Sequence, residues 1–311
     1  MKPNIVLSEC INFKPVRFDG GIIKDPFANT LDQHVNYLPV CPEMAIGLGV
    51  PRDRVKVVRK NKKNFRLIQP KTGLDLTKKM SRFSEEFLNS LEEIDGFLLK
   101  SKSPSCGVSG TKTYANMDGT GFLYRGKGVF ARKVIQKFPG LPCEDERRLK
   151  DINLRTHFLT RIFSLFELRT EFKNLTSIKN IRDFHKKYRY LIMSYNQTRL
   201  KNLEKIISNK KDQSIQDVKK AYQLEFIKTF LKKPPTKSHV YVLRLIFENL
   251  SDYFSPGEKH HFLDILEKYR NKKIPVTIPL GFLRNSAQKF KKANWHNQKY
   301  LNPYPEKLID Y

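Results

Sequence analysis

Three of the four cysteines sit in the same kind of place. Cys10 follows the apolar run Asn4–Ser8, Cys41 ends the run 35–40, and Cys106 lies in the polar stretch after Phe97-Leu98-Leu99. Soft thiolates select zinc or iron–sulfur clusters over hard cations. Three protein ligands leave one metal position open to a substrate, as catalytic centres require. The same residues also suit a simpler role as small apolar side chains in a core. No pair has CxxC spacing, so a metal site would be assembled from distant segments. Glu43, just after Cys41, reads as a general base beside a metal or as a carboxylate favoured at a helix start. Before Cys106, Ser101, Lys102, Ser103 and Ser105 offer hydroxyls and a cation to a substrate, or form a loop that bonds its own backbone. Cys143, in Pro142-Cys143-Glu144-Asp145-Glu146, falls outside the pattern and reads as a fourth ligand or an ordinary thiol.

Whether the thiols meet depends on the elements that carry them. Residues 4–8, 35–40 and 97–99 read as strands, and 55–58 and 65–68 as two more joined by the basic run 59–63. Residues 27–36 and 44–48 carry weaker helical patterns, with Pro42 suited to a first turn. Residues 77–94 predict an amphipathic helix with Met80, Phe83, Phe87, Leu88, Leu91 and Ile94 on one face and Thr77 as N-cap. Residues 119–128 read as a glycine-rich loop without the ending of a P-loop, and 129–138 as a helix. Arg17 and Asp19 read as a structural pair. This alternation predicts an α/β layered domain over residues 1–150, with a mainly parallel sheet. Ligands bind such sheets beyond the carboxyl ends of the strands. On neighbouring parallel strands, Cys10, Cys41 and Cys106 would converge on one edge.

From residue 151 the pattern turns helical. Helices are expected over 154–168, 177–207 (one or two), 215–231, 240–250, 256–269 and 280–290. Residues 210–214 read as a linker, Pro275 and Pro279 bracket a break, and 300–305 form an extended aromatic tail. The prediction is an all-α domain over residues 151–311. Lys and Arg number 59 against 31 Asp and Glu, a net charge of +28, of which residues 1–150 carry +11 and the rest +17. Such an excess favours a polyanionic partner, nucleic acid first; lysine enrichment throughout the chain is the plainer source. His185, Lys186, Lys187, Tyr188, Arg189 and Tyr190 give a basic-aromatic helix suited to RNA, or a solvated helix with buried rings. Trp295, His296, Lys299 and Tyr300 form a second such patch. No apolar stretch reaches the ~18 residues of a membrane span. The first residues read as no secretory signal, and four cysteines make no disulfide scaffold. A cytoplasmic protein is the expectation.

Taken as a set, three blocks resemble the thiouracil desulfidase family. They are Ser8-Glu9-Cys10 with Arg17-Phe18-Asp19-Gly20; Pro39-Val40-Cys41-Pro42-Glu43 with Gly47-Leu48-Gly49-Val50-Pro51-Arg52; and Leu99-Lys100-Ser101-Lys102-Ser103-Pro104-Ser105-Cys106-Gly107. The likeness spans residues 4–140. Phe184-His185-Lys186-Lys187-Tyr188, Val276-Thr277-Ile278-Pro279-Leu280 and Tyr300-Leu301-Asn302-Pro303-Tyr304-Pro305 resemble a helical domain of unknown function often fused behind it. The resemblance implies a [4Fe-4S] cluster on Cys10, Cys41 and Cys106, with one iron free of protein ligands. Glu43 and Ser103 match positions associated with catalysis, with Ser101, Lys102 and Ser105 beside the substrate. The two-domain form is similar to enzymes that take sulfur from 4-thiouridine in tRNA, with Lys186, Lys187 and Arg189 as candidate RNA contacts. Glu9 departs from the small or basic residue usual there, and Cys143 matches no family ligand. The implied reaction is hydrolysis of the C–S bond without electron transfer. Competing readings are the same chemistry on free thiouracil or a thionucleotide, a nucleic-acid-binding redox sensor, and an RNA-binding protein with structural zinc. The charge of the helical half disfavours a small substrate.

Overall fold

Two short runs with no polar interruption, around Val6 and Leu98, set the centre of the first half. Ile5, Val6, Leu7, Phe97, Leu98 and Leu99 are all fully buried. Strands apolar on both faces belong in a parallel sheet covered on both sides, whereas a half-solvated strand alternates. The structure is a computed structural model that describes residues 1–59, 61, 64–208, 214–292, 295 and 297–309. Lys60, Lys62 and Lys63 of the basic turn, residues 210–213 of the linker and His296 of the second patch lie outside the described residues.

The chain divides into two compact units, Met1–Asp151 and Ile152–Tyr311. The first contains β1 (Asn4–Ser8), α1 (Pro26–Asp32), β2 (Asn36–Val40), α2 (Pro42–Ala45), β3 (Lys56–Arg59), β4 (Phe65–Gln69) and β5 (Leu74–Asp75). It continues with α3 (Thr77–Ser90), β6 (Gly96–Leu99), β7 (Thr111–Tyr114), β8 (Phe122–Gly126), α4 (Val129–Lys137) and β9 (Cys143–Asp145). One sheet has the order β2-β1-β6-β9 and is parallel throughout, with Val6 opposite Leu38 on one side and Phe97 on the other. This is the α/β layer expected from the sequence. A second sheet, β5-β4-β3-β7-β8, is mainly antiparallel; only β3 and β7 run parallel.

Several boundaries differ from the sequence expectation for physical reasons. The stretch 119–128 is not simply a loop, because β8 occupies part of it as an exposed hairpin strand that shows no apolar period. β9 contains only Cys143, Glu144 and Asp145 and exists through its pairing with β6. Thr77 is the first residue of α3, not its cap. The Asp75 carboxylate accepts from the Thr77 amide at 2.9 Å, while the Thr77 hydroxyl accepts from Leu67 N at 3.0 Å and ties the helix to β4.

The second unit contains α5 (Ile152–Lys173), α6 (Ile178–Tyr195), α7 (Gln197–Ser208), α8 (Ile215–Thr229), α9 (Thr236–Leu250), α10 (Pro256–Arg270) and α11 (Thr277–Lys289). Asn196, extended at φ −162°, splits the 177–207 region into two helices. Pro279 does not break a helix; it lies in the first turn of α11, where a missing amide hydrogen costs nothing. The tail folds inward, with Tyr300 and Leu301 buried and Arg284 Nε donating to the Leu301 carbonyl at 2.9 Å. Phe172, Phe184, Tyr188, Tyr222, Phe226 and Phe230 make an aromatic core. Among the described residues, no helix is long and apolar enough to cross a membrane.

Candidate active site

β2, β1 and β6 are adjacent and parallel, so their carboxyl ends open on one edge of the sheet. Cys41 directly follows β2 and occupies the N-cap position of α2, with Pro42 in its first turn. Cys10 lies in the turn after β1, and Cys106 in the loop after β6. All three thiols line one cavity of about 530 Å³.

The loop that carries Cys106 is fixed from two directions. Ser103 Oγ accepts from the amides of Ser105 at 3.2 Å and Cys106 at 3.0 Å. The first amides of α4 then donate into the loop, Val129 N to Pro104 O at 2.9 Å and Ala131 N to Ser105 O at 3.1 Å. This approach needs glycine at 128, where a Cβ would stand 2.4 Å from the Ser105 carbonyl oxygen.

Burial raises all three thiols. Cys10 is pushed up to about 12, by burial first and Cys41 second, with Lys100 opposing. Cys41 is raised chiefly by burial, partly offset by the Met44 amide. Cys106 stands well above the ordinary thiol value because of burial, against a hydrogen bond from Ser8. Three such groups ionise together only with a compensating cationic centre. Among the described residues, no group of three or more His, Cys, Asp and Glu side chains is arranged to hold a single metal ion. Three soft thiol donors lining one cavity are a donor set that fits an iron–sulfur cluster or zinc.

Two buried carboxylates flank the thiols. Glu43 is 8% exposed, so it is not a solvated helix-start residue. Its Oε2 accepts from Arg52 Nε at 2.9 Å and Nη2 at 2.7 Å, and its Oε1 from the Ser105 hydroxyl at 2.9 Å. Arg52 also donates to the carbonyls of Gly49 and Val16, so it locks α2 to the loop after β1. Glu146, just past β9, accepts from Lys100 Nζ at 2.7 Å, and from the Ser101 hydroxyl at 2.6 Å and amide at 2.7 Å.

These partners revise the expected substrate contacts. Ser105 is fully buried, is not among the side chains lining the cavity, and serves Glu43. Ser101 lines the cavity but gives its proton to Glu146. Ser103 and Lys102 also line it, and the Ser103 oxygen already accepts two amides, so its proton is the part left to donate. Glu9 lines it too and pairs with Lys14 at 2.9 Å. Cys143 lies on β9 beside Phe97 and does not line the cavity, so it is no fourth ligand there. Arg17 and Asp19 pair at 3.2 Å.

The cavity wall is strongly cationic, with nine Lys and Arg side chains against two carboxylates. Sequence reasoning missed most of them. Lys112 and Arg125 come from β7 and β8, a hairpin the sequence pattern does not show; Arg54 and Lys56 come from β3 and its approach, a strand that is legible but gives no sign of facing a cavity; and Glu146, behind the wall, follows a strand with no apolar residue but cysteine. Arg54 stands over the Phe18 ring at 4.5 Å and Lys56 over Tyr114 at 4.9 Å, so cations back two aromatic faces of the wall.

In the helical unit the basic-aromatic face divides. His185 and Tyr188 are buried, with His185 Nδ1 3.0 Å from Tyr222 Oη and Tyr188 Oη donating to Glu167 at 2.9 Å, so neither offers a ring for base stacking. Lys186, Lys187 and Arg189 pair with Asp183, Glu171 and Glu204.

Thiols, a buried carboxylate and a cationic cavity at the edge of a parallel sheet define a candidate cluster-binding active site. Residues 5–146 match the family described as 2-thiouracil desulfurase, and residues 189–305 a family described as a protein of unknown function. The chain belongs to the 2-thiouracil desulfurase family through its first unit. It is also similar to a solved structure titled [4Fe-4S]-dependent thiouracil desulfidase TudS, at 30% identity, covering 50% of this chain and 98% of that one, with a TM-score of 0.39. No curated protein matches the chain.

Proposed function

We propose that the protein is an iron–sulfur-dependent desulfidase that converts 4-thiouridine in tRNA to uridine, releasing hydrosulfide. The observation that carries this reading is the set of three thiols from three parallel strand ends on one cavity, beside Glu43. Cys10, Cys41 and Cys106 would hold a [4Fe-4S] cluster, which supplies a thiophilic, Lewis-acidic iron with one position free of protein ligands.

The chain's own groups supply the rest. Glu43 Oε2 is committed to Arg52, whereas Oε1 accepts from Ser105 and keeps a lone pair to take a proton from water. The Ser103 hydroxyl donates toward the base. Phe18 and Tyr114 offer faces against which a base extruded from the RNA can lie. Water replaces sulfur at the carbon, the C=S bond becomes C=O, and both water protons leave with sulfur, so no electrons are exchanged. Support for RNA as the carrier of the base is charge: nine cations on the cavity wall and +17 over residues 151–311.

Anaerobically prepared protein should be brown, with about four irons and four sulfides per chain. Incubated with thiolated tRNA and with free 4-thiouracil, it should remove the 4-thiouridine absorption from the tRNA. Turnover of the free base alone would overturn the tRNA assignment, and a colourless protein with one zinc would overturn the desulfidase.

A further inference from the structure

The helical unit holds a second cavity, of about 550 Å³, which the desulfidase chemistry does not use. Three lysines line it, Lys233, Lys272 and Lys273, and no carboxylate does. Lys233 comes from the segment between α8 and α9, and the other two from the turn after α10, which Lys272 makes in the left-handed region at φ 60°. Among the described residues none of the three is ion-paired, although Lys186, Lys187 and Lys299 of the same unit are. Uncompensated ammonium groups around one concavity repel each other and attract an anion.

The rest of the wall narrows the anion's chemistry. His157 and His239 line the cavity, and each ring places Nδ1 at 2.9 Å from a tyrosine hydroxyl, Tyr195 and Tyr300 respectively. Nε2 is then the nitrogen left for a ligand. Burial lowers both rings, to about 3 for His157 and about 4 for His239, so they add neutral hydrogen-bonding groups and no charge at neutral pH. Tyr269, Ile274, Val276 and Leu280 supply an apolar remainder that a bare inorganic ion would leave unused.

We propose that this cavity binds a nucleotide, its phosphate held by Lys233, Lys272 and Lys273 and its nucleoside against the apolar wall. The proposal rests on the RNA reading above for the natural source, an unpaired nucleotide of the bound strand; a free mononucleotide carries the same chemistry.

The test uses cluster-loaded full-length protein and a triple variant, Lys233→Gln with Lys272→Gln and Lys273→Gln. A control variant carries Lys201→Gln, Lys205→Gln and Lys220→Gln, exposed lysines of the same unit outside the cavity. Fluorescently labelled unthiolated tRNA, UMP and uncharged uridine are the probes. The cavity variant should bind tRNA about ten-fold more weakly, with the slope of log K against log salt smaller by about two, and the control should change about two-fold or less. UMP binding that is lost in the cavity variant while tRNA affinity stays unchanged would support the cavity and assign it to a free nucleotide. Equal tRNA losses in both variants, or no loss of either probe, would overturn the proposal, as would uridine binding as tightly as UMP. Loss of 4-thiouridine absorption from thiolated tRNA at saturating concentration, measured on all three proteins, reads the first unit separately. Its absence throughout would count against the desulfidase and leave the cavity result standing.

Discussion

The two units bury polar groups in opposite ways. The first buries groups that carry or need charge: three thiols, Glu43 against Arg52, and Glu146 against Lys100, all at one cavity or behind its wall. The second buries one such ion pair, Glu225 against Arg199, but is marked by neutral pairs: His157 with Tyr195, His185 with Tyr222 and His239 with Tyr300. Ion pairs withdrawn from water are costly unless their geometry is satisfied, and thiols raised by burial ionise only beside a compensating cation. Imidazole–phenol pairs are neutral and ask for none. The first unit gathers its buried charged pairs at or behind the wall of one cavity, and the second sets its neutral pairs against its aromatic core.

The largest effect should come from removing a ligand. Cys106→Ala should reduce iron and sulfide from about four per chain to near zero and abolish desulfuration. The same variant should keep tRNA affinity within about two-fold, because no cation of the helical unit is altered. Retained iron would break the contrast between a unit that needs its cofactor and one that does not.

Next in size is the Glu43–Arg52 pair, whose side chains are 11% and 4% exposed. Glu43→Gln should keep the cluster, leave KM nearly unchanged and lower kcat by about 10²-fold or more. Arg52→Ala instead leaves the Glu43 carboxylate buried without its cation, costing the first unit roughly 3–5 kcal/mol. Iron content and thermal unfolding of both variants separate the roles. Full activity in Glu43→Gln would remove Glu43 as the base, and an unshifted melting temperature in Arg52→Ala would show that the pair does not hold the site.

What could be read from the sequence follows the same division. β1 and β6 were legible because a buried parallel strand is an unbroken apolar run, and a cysteine past such a run has its edge of the sheet fixed by topology. Glu146 was not legible, because β9 is defined by pairing to β6 and carries no periodic signal of its own. Ser101 and Ser105 were recognised as polar loop residues, but only the fold decides that each hydroxyl faces a buried carboxylate. In α6 the helical period marks one face bearing His185 and Tyr188; whether that face meets RNA or a neighbouring helix is a tertiary matter, and Tyr222 of α8 fills the place of a base.

The smallest effect is the most selective. His157, His185 and His239 are lowered to about 3, about 4 and about 4, in each case mainly by burial. Between the unfolded value near 6.5 and these folded values, the unfolded chain binds more protons than the folded one, so stability falls as pH falls through that window. Each ring contributes up to about 2 kcal/mol of loss by pH 5. Glu171 acts in the opposite direction, since burial raises its carboxyl, and trims the total. The first unit contains one histidine, His34, and its Asp145 is raised by burial, so mild acid has little there to destabilise it. Trp295, the single tryptophan of the chain, lies in the helical unit beside Tyr190 and reports on that unit alone. Its fluorescence in a urea titration should show a lower midpoint at pH 5 than at pH 7.5, and His239→Gln should shrink the difference by about a third, one ring's share of three. A midpoint independent of pH would mean that these rings are not buried neutral, and the contrast between the two units would fail at its second half.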